Sequence, residues 1–425
     1  MQAAISPGNL FGDIQVPASK SMMQRVCAAA LLHNGKTTII NPGMSDDDNA
    51  ALNIIQALGA DVEQLDNRIE ITSHGIFPKT DSIFCGESGL AARLFIPIAA
   101  LSNKAIRIDG SGSLITRPLD LFTEVLPRMN VTVQHNSGKL PFVVQGPLQA
   151  KDIELDGSLS SQFLSGILFA AGYDLQEPIN ITVNELKSIP YIDLTLAVLK
   201  RFGYVIGHNG YKVFTIQPRV NVPNEITIDI EGDWSSAAVL MVGAALTGAA
   251  KFSGLSINSQ QADTAILQAL NLAGAQVTVD NTIEVKQGPL KGFEFDATHC
   301  PDLFPALAIL ASCCPGESRI HGVHRLIHKE SNRIESISDM LEAFEVFHAV
   351  EDDALYIEGK RTFEPAKIFS HNDHRIAMAA AIGALRAYDT VYITNADSVN
   401  KSYPNFFTDL QKLGAHVRMA FDTYE

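Results

Sequence analysis

The sequence predicts an α/β protein built from six similar supersecondary units, and three observations carry that prediction. A pattern of amphipathic helix, small or glycine-containing break and short β-branched run returns about every 70 residues along the 425-residue chain. A second series of helices, rich in small residues and apolar nearly all round, falls between these at the same interval. Strand-like and helix-like segments alternate from one end of the chain to the other, as α/β architecture requires.

The amphipathic series reads IIQALGADV near Gly59, VLPRMNVTV near Met129 and VLKRFGYVI near Gly203. It returns as ALNLAGAQVTV near Gly274, MLEAFEVFHAV near Phe344 and LQKLGAHVRM near Gly414. The glycine follows the last helical turn, where a left-handed C-cap is wanted. The small-residue series opens at SKSMMQRVCAAALL, GESGLAARLFIPIAAL and SSQFLSGILFAAG, and again at WSSAAVLMVGAAL, PDLFPALAILASCC and DHRIAMAAAIGAL. Several of these lead into strands such as KTTII, KAIRI and TVYI. Each unit therefore reads as strand, buried helix, strand, amphipathic helix, strand and strand. Parallel helices packed through Ala and Gly bring their N-termini to one side. The unpaired N–H groups and partial positive charge there gather anions.

Composition narrows the function. Asp plus Glu is 47 against 32 Lys plus Arg, a net charge of −15. That excludes a general nucleic-acid binder, which carries a basic face, but leaves room for a local cationic pocket. Cys27, Cys85, Cys300, Cys313 and Cys314 sit in or beside apolar runs with no C-x-x-C pair, so buried reduced thiols are expected. The N-terminus shows no signal-peptide pattern. The longest apolar window, Ala237 to Ala250, falls short of the roughly 20 residues a bilayer needs. The expectation is a cytoplasmic protein with no membrane or nucleic-acid partner.

The six buried-helix starts carry more than capping needs. They read Ser19-Lys20-Ser21, Gly86-Glu87-Ser88-Gly89, Ser160-Ser161-Gln162, Asp233-Trp234-Ser235-Ser236, Pro301-Asp302 and Asn372-Asp373-His374-Arg375. One Ser, Thr, Asp or Asn would cap each. Lys20, Arg25, Arg117, Lys329, Arg333 and Lys401 stand at or near helix entrances. In KESNR, Lys329 and Arg333 fall at i and i+4, which predicts one helical face. Cations so placed in an acidic chain point to more than one phosphate or carboxylate. Asp302 and Glu330 read either as counter-charges or as general acid–base groups, and spacing alone does not choose. His321, His324 and His328 have metal-like spacing but should not share a face, so no metal site is expected. GSGSLITRP lacks the P-loop Gly-Lys-Ser/Thr.

Seven motifs in order, PASKSMMQR, DGSLSSQFLSGIL, SIPYIDLT, EGDWSSAA, HKESNRI, NDHRIAMA and NKSYPNFF, closely resemble the 5-enolpyruvylshikimate-3-phosphate synthases, the 3-phosphoshikimate 1-carboxyvinyltransferases, from about residue 17 to 410. The resemblance implies an inside-out α/β barrel fold of two similar lobes, each of three βαβαββ repeats with buried parallel helices. One lobe would span about residues 18–230, the other residues 1–17 plus 231–425, with the active site in the interlobe cleft. It implies transfer of the enolpyruvyl group of phosphoenolpyruvate to the 5-hydroxyl of shikimate 3-phosphate, in aromatic amino-acid biosynthesis. No metal or organic cofactor would be needed, and a monomer is expected.

Carried over by position, Lys20, Ser21, Arg25, Ser160, Ser161, Gln162, Ser188, Tyr191, Asp302 and Lys329 would hold shikimate 3-phosphate. Lys20, Gly89, Arg117, Gln162, Arg333, His374, Arg375 and Lys401 would hold phosphoenolpyruvate. Asp302 would accept the 5-hydroxyl proton, and Glu330 and Lys20 are candidates for protonating the methylene. Lys401 completes the catalytic set. The family's usual Asn-Ala-Gly-Thr loop is replaced by Glu87, Ser88, Gly89 and Leu90. An acid at Glu87 beside an anionic substrate is unexpected, and pairing with Arg93 or another arginine is one way to neutralise it. Ala18, Ile189 and Arg325 are further departures. The related transferase acting on UDP-N-acetylglucosamine would carry a Cys-bearing glycine loop, and Cys85 is not in one.

Overall fold

A computed structural model of the chain describes residues 1–220 and 222–421. The chain forms two compact units: Ala18–Glu231, and Met1–Pro17 together with the chain from Gly232 onward. Among the described residues there are six four-stranded sheets, three in each unit. All six share one topology, in which an edge pair is parallel and the other two pairs are antiparallel.

One unit of the repeat shows how the chain makes this. The strand Ser82–Phe84 leads through the buried helix Gly89–Ala99 to its parallel neighbour Ile106–Asp109. The amphipathic helix Asp120–Arg128 then leads to the hairpin Thr132–Asn136 and Lys139–Gln145, whose second strand pairs antiparallel with Ile106–Asp109. The inner strands alternate buried and exposed residues, as in Lys139–Gln145, so each sheet turns one face to the core and one to water.

Three sheets are stitched from distant chain segments. Gln2–Ile5 lies antiparallel between Val391–Thr394 and Val417–Ala420. Phe11–Gln15 runs parallel to Ala249–Ser253, and Glu225–Asp229 parallel to Gly35–Ile40.

The helices inside each unit run parallel, and polar contacts at their ends show it. In the unit from Gly232, Asp302 precedes the helix Phe304–Ser312 and bonds Arg375 in the first turn of His374–Ala384. At the other end Leu246, Cys313 and Arg386, from the tails of the helices Trp234–Thr247, Phe304–Ser312 and His374–Ala384, line one cavity of about 210 Å³. Every residue of Trp234–Thr247 is buried. Burying each Leu, Ile, Val or Met there contributes roughly 1.5–3 kcal/mol. Small residues set the spacing: a β-carbon on Gly166 would overlap the Arg93 carbonyl of the helix Gly89–Ala99.

Parallel helices leave their carbonyl ends unsatisfied together, and in each unit one arginine reaches a main-chain carbonyl there. Arg386 Nη1 donates to the Leu246 carbonyl at 3.5 Å and Nη2 to the Arg361 carbonyl at 2.5 Å. Arg219 Nη1 donates to the Leu32 carbonyl at 3.3 Å and Nη2 to the Tyr173 carbonyl at 2.5 Å. Its guanidinium also stacks on Tyr204 at 4.8 Å. A cation is favoured at such an end.

The breaks after the amphipathic helices are left-handed in all six repeats. Gly59, Gly203, Gly274 and Gly414 have φ of 130°, 79°, 92° and 101°. In the other two the residue is Asn130 at 65° and Glu345 at 54°, one position beyond the Met129 and Phe344 of the sequence pattern. Asn tolerates this region, whereas Glu pays for its Cβ. Glu345 is exposed. Glu345→Gly is therefore expected to raise stability by about 1 kcal/mol, read as a higher midpoint in urea unfolding.

Candidate active site

Each unit presents a polar cluster at the N-terminal ends of its helices. In the unit Ala18–Glu231, Ser19 caps the helix Lys20–Leu31, its Oγ accepting Met22 N–H at 3.3 Å. Lys20 Nζ donates to Asp47 Oδ2 at 2.9 Å, from the first turn of Asp46–Ala57. Ser21 offers its carbonyl to Arg25 Nη1 at 2.8 Å.

Arg25 is only 1% exposed. Its Nε donates to Thr195 Oγ1 at 2.8 Å and its Nη2 to the Tyr191 carbonyl at 3.4 Å. Among the described residues no carboxylate pairs with it, so burial pulls its pKa down to about 10, against a small opposing effect of the Tyr191 phenol. A buried cation that meets only neutral oxygens is incomplete without an anion.

The same helix ends carry the other expected groups. Ser160 is the cap of Ser161–Ala171, accepting Gln162 N–H at 3.3 Å. Ser161 is buried, and Ser165 Oγ reaches both its carbonyl and Thr195 Oγ1. Ser188 stands before the helix Ile189–Arg201 with φ of 52°, and its carbonyl accepts Tyr191 N–H at 3.1 Å. A non-glycine residue in the left-handed region at a helix entrance marks a position whose direction matters.

A second knot surrounds Gly89. Ser88 caps the helix Gly89–Ala99 and its Oγ donates to Gln24 Oε1 at 3.1 Å. Arg93 Nη1 donates to Gln162 Oε1 at 3.1 Å, and its guanidinium stacks over Phe163 at 4.9 Å. Arg117 Nη2 donates to Ser113 Oγ at 3.2 Å. A β-carbon on Gly89 would stand 2.6 Å from Arg117 Nη1 and 2.8 Å from Arg93 Nη1, so glycine lets two guanidinium groups approach the helix start.

In the unit from Gly232 the cluster centres on Asp302. Its Oδ1 accepts Arg333 Nη1 at 2.7 Å and Lys329 Nζ at 3.2 Å, and its Oδ2 accepts Arg375 Nη2 at 3.4 Å. Burial pushes the Asp302 carboxyl up, but Arg375, Lys329 and Arg333 together outweigh it and hold it well below the usual carboxylate range. Arg333 is fully buried and also bonds Glu330 Oε2 at 2.6 Å and Asp373 Oδ2 at 2.8 Å. Burial lowers Arg333, yet these three carboxylates raise it well above its ordinary value. Lys401 Nζ donates to the Asn372 carbonyl at 2.5 Å, and His374 is buried beside Asp373. Asp263 lies deeper, its Oδ2 bonded to Ser235 Oγ; burial and the nearby Asp302 charge push it up to about 7.

The KESNR segment differs from its sequence reading. The helix is Arg333–Ala343, capped by Asn332, so Lys329 and Glu330 lie in the turn before it. Lys329 and Arg333 still converge, because both bond Asp302 rather than because they share a helical face. His321 and His324 pair with Glu294 and Asp353 at 2.7 Å each. Sequence reasoning missed Asp373, Asp47 and Thr195 as partners. Asp373 was visible at a helix start, but its two-oxygen hold on Arg333 depends on contacts between remote segments.

Comparison with known proteins places this arrangement. The EPSP synthase (3-phosphoshikimate 1-carboxyvinyltransferase) family profile matches residues 5–410. A 3-phosphoshikimate 1-carboxyvinyltransferase of Clostridium acetobutylicum is 35% identical over 419 residues, covering 97% of each chain. The one of Methanocorpusculum labreanum is 33% identical over 424 residues, covering 98% of this chain and 100% of the other. The EPSP synthase structure from Acinetobacter baumannii superposes with a TM-score of 0.83 at 28% identity, covering 98% of this chain and 100% of that one. The chain belongs to the EPSP synthase family, enolpyruvyl-transferring enzymes of α/β fold.

The Arg333 pairing carries a stability prediction. Arg333 keeps Asp302 and Glu330 when Asp373 is removed, so the cost is that of lost charged hydrogen bonds, about 1.5–3 kcal/mol, and not that of a stranded charge. Asp373→Ala should show a loss of that size in urea unfolding. Burial raises Asp373, but Arg333 outweighs it and keeps its pKa below the usual value. Its stabilisation is therefore complete above about pH 4 and is lost as pH falls through the folded value. The variant should accordingly lose less stability than the parent on acidification below that pH.

Proposed function

We propose that the chain transfers the enolpyruvyl group of phosphoenolpyruvate to the 5-hydroxyl of shikimate 3-phosphate, releasing phosphate, in the route to chorismate and the aromatic amino acids. Lys20, Ser21, Arg25, Ser160, Ser161, Gln162, Ser188 and Tyr191 hold shikimate 3-phosphate, and Lys329 helps. Lys20, Gly89, Arg117, Gln162, Arg333, His374, Arg375 and Lys401 hold phosphoenolpyruvate.

The observation that carries this reading is Asp302, an ionised carboxylate among three cations. In the reaction the phosphoenolpyruvate methylene takes a proton, from Glu330 or Lys20, and its central carbon becomes electrophilic. The 5-hydroxyl oxygen attacks that carbon and gives its proton to Asp302. The new methyl then loses a proton, the carbon–oxygen bond to phosphate breaks, and the enol ether remains. Both substrates are polyanions, so fixed cations and helix starts offset their repulsion. Arg25 supports the same reading, because a bound anion completes its buried charge.

Mixing the folded protein with both substrates should release phosphate. No release above background rejects the assignment. Asp302→Ala should lower kcat by roughly 10²–10⁴-fold, the range of a lost general base. Shikimate 3-phosphate should still bind within a few-fold by calorimetry, and unchanged turnover would remove the base role.

A further inference from the structure

The cavity of about 210 Å³ lies at the tails of Trp234–Thr247, Phe304–Ser312 and His374–Ala384, the ends opposite those that carry Asp302 and Arg375. Leu246, Leu290 and Pro315 give it apolar walls, and two arginines, Arg361 and Arg386, also line it. No lining residue is an acid. Burial pushes the lining Cys313 thiol up to about 12, and Arg386 opposes this only in part, so the thiol stays neutral.

Helix tails alone favour a cation, but here their carbonyls already have donors. The Leu246 carbonyl accepts Gln287 Nε2 at 2.9 Å as well as Arg386 Nη1 at 3.5 Å. The Leu310, Ala311 and Ser312 carbonyls accept the N–H groups of Cys313, Cys314 and Lys360. The Gly383 and Ala384 carbonyls accept those of Arg386 and Ala387. Arg361 is exposed, and among the described residues neither arginine pairs with a carboxylate. Positive charge is therefore in excess of what the helix tails need. Arg219 offers a comparison within the molecule, since Tyr173 and Tyr204 cover its guanidinium at 5.4 and 4.8 Å. Where Arg219 has rings, Arg386 has the cavity.

We propose that this cavity is a second binding site, at the far end of the helix Phe304–Ser312 from Asp302, for a small carboxylate with a flat apolar body. The carboxylate pairs with Arg386 and Arg361, because a planar guanidinium matches two carboxylate oxygens at once. The body lies against Leu246, Leu290 and Pro315 and covers Arg386, as the two tyrosines cover Arg219. The cavity is smaller than the roughly 300–1,000 Å³ of pockets for drug-sized ligands, so it takes a ligand of about one ring.

The test is calorimetric titration of the full chain with benzoate. The parent should bind it with a Kd of about 1 mM or tighter. Benzyl alcohol, which keeps the ring and lacks the charge, should bind at least about tenfold more weakly. Arg361→Gln, and Arg386→Lys, which keeps the charge and loses the planar fork, should each weaken benzoate by about tenfold. Arg68→Gln, an exposed arginine of the other unit, should leave the affinity within twofold. A melting curve checks that each variant is folded, and if Arg386→Lys is not, Arg361→Gln decides alone. A parent that binds no benzoate overturns the proposal, and so does benzyl alcohol binding as tightly. A folded Arg361→Gln within twofold of the parent overturns it too, because benzoate then sits elsewhere. Equal weakening by Arg68→Gln overturns it as well, since net charge alone would be the cause.

Discussion

The parallel alignment of buried helices is the constraint on which the rest of this protein depends. Antiparallel helices cancel their end charges locally, whereas parallel ones add them. Each unit must therefore satisfy a set of carbonyls at one end and a set of N–H groups at the other. At the carbonyl ends one arginine in each unit bonds main-chain oxygens, Arg219 those of Leu32 and Tyr173 and Arg386 that of Leu246. The N-terminal ends are capped by Ser19, Ser88, Ser160, Asp233 and Asp373, and then loaded with further charge. Only small residues let the helices come close enough for this, as the contact of Gly166 with the Arg93 carbonyl shows.

That further charge is balanced internally in the unit from Gly232. Lys329, Arg333, Arg375 and Lys401 stand against Asp302, Glu330 and Asp373, four cations to three carboxylates. Asp302 takes hydrogen bonds from three of the cations at once. It holds them in place before any ligand arrives. The same contacts make it a weak base while they last. On the proposed reaction, an anion that draws Arg333 and Arg375 toward itself loosens their hold on Asp302 and raises its proton affinity when the hydroxyl proton must move.

Local pattern made the repeats legible, because apolar period, small-residue helices and left-handed breaks are written in neighbouring residues. The helix starts were legible for the same reason, and with them Lys20, Ser160, Asp302 and Arg375. The sheet edges were not readable from period alone: pairing of Gln2–Ile5 with Val391–Thr394 joins opposite ends of the chain. Nor was the start of the helix at Arg333. An i,i+4 spacing of Lys329 and Arg333 looks helical, but Asn332 takes the capping role and pushes the lysine into the turn.

Arg25 and Arg333 show how differently one residue type is used. Both guanidinium groups are out of water. Arg333 is surrounded by three carboxylates and its charge is strongly favoured. Arg25 meets a hydroxyl and two carbonyls, and its charge is disfavoured. An anion reaching Arg25 therefore gains an unopposed partner and repays desolvation already incurred. An anion reaching Arg333 must instead take the place of a carboxylate, and exchange gains less than completion. On the proposed assignment of ligands, shikimate 3-phosphate meets the first situation and phosphoenolpyruvate the second. On that assignment the free protein favours the shikimate ester, and phosphoenolpyruvate must win its cations from the proposed base.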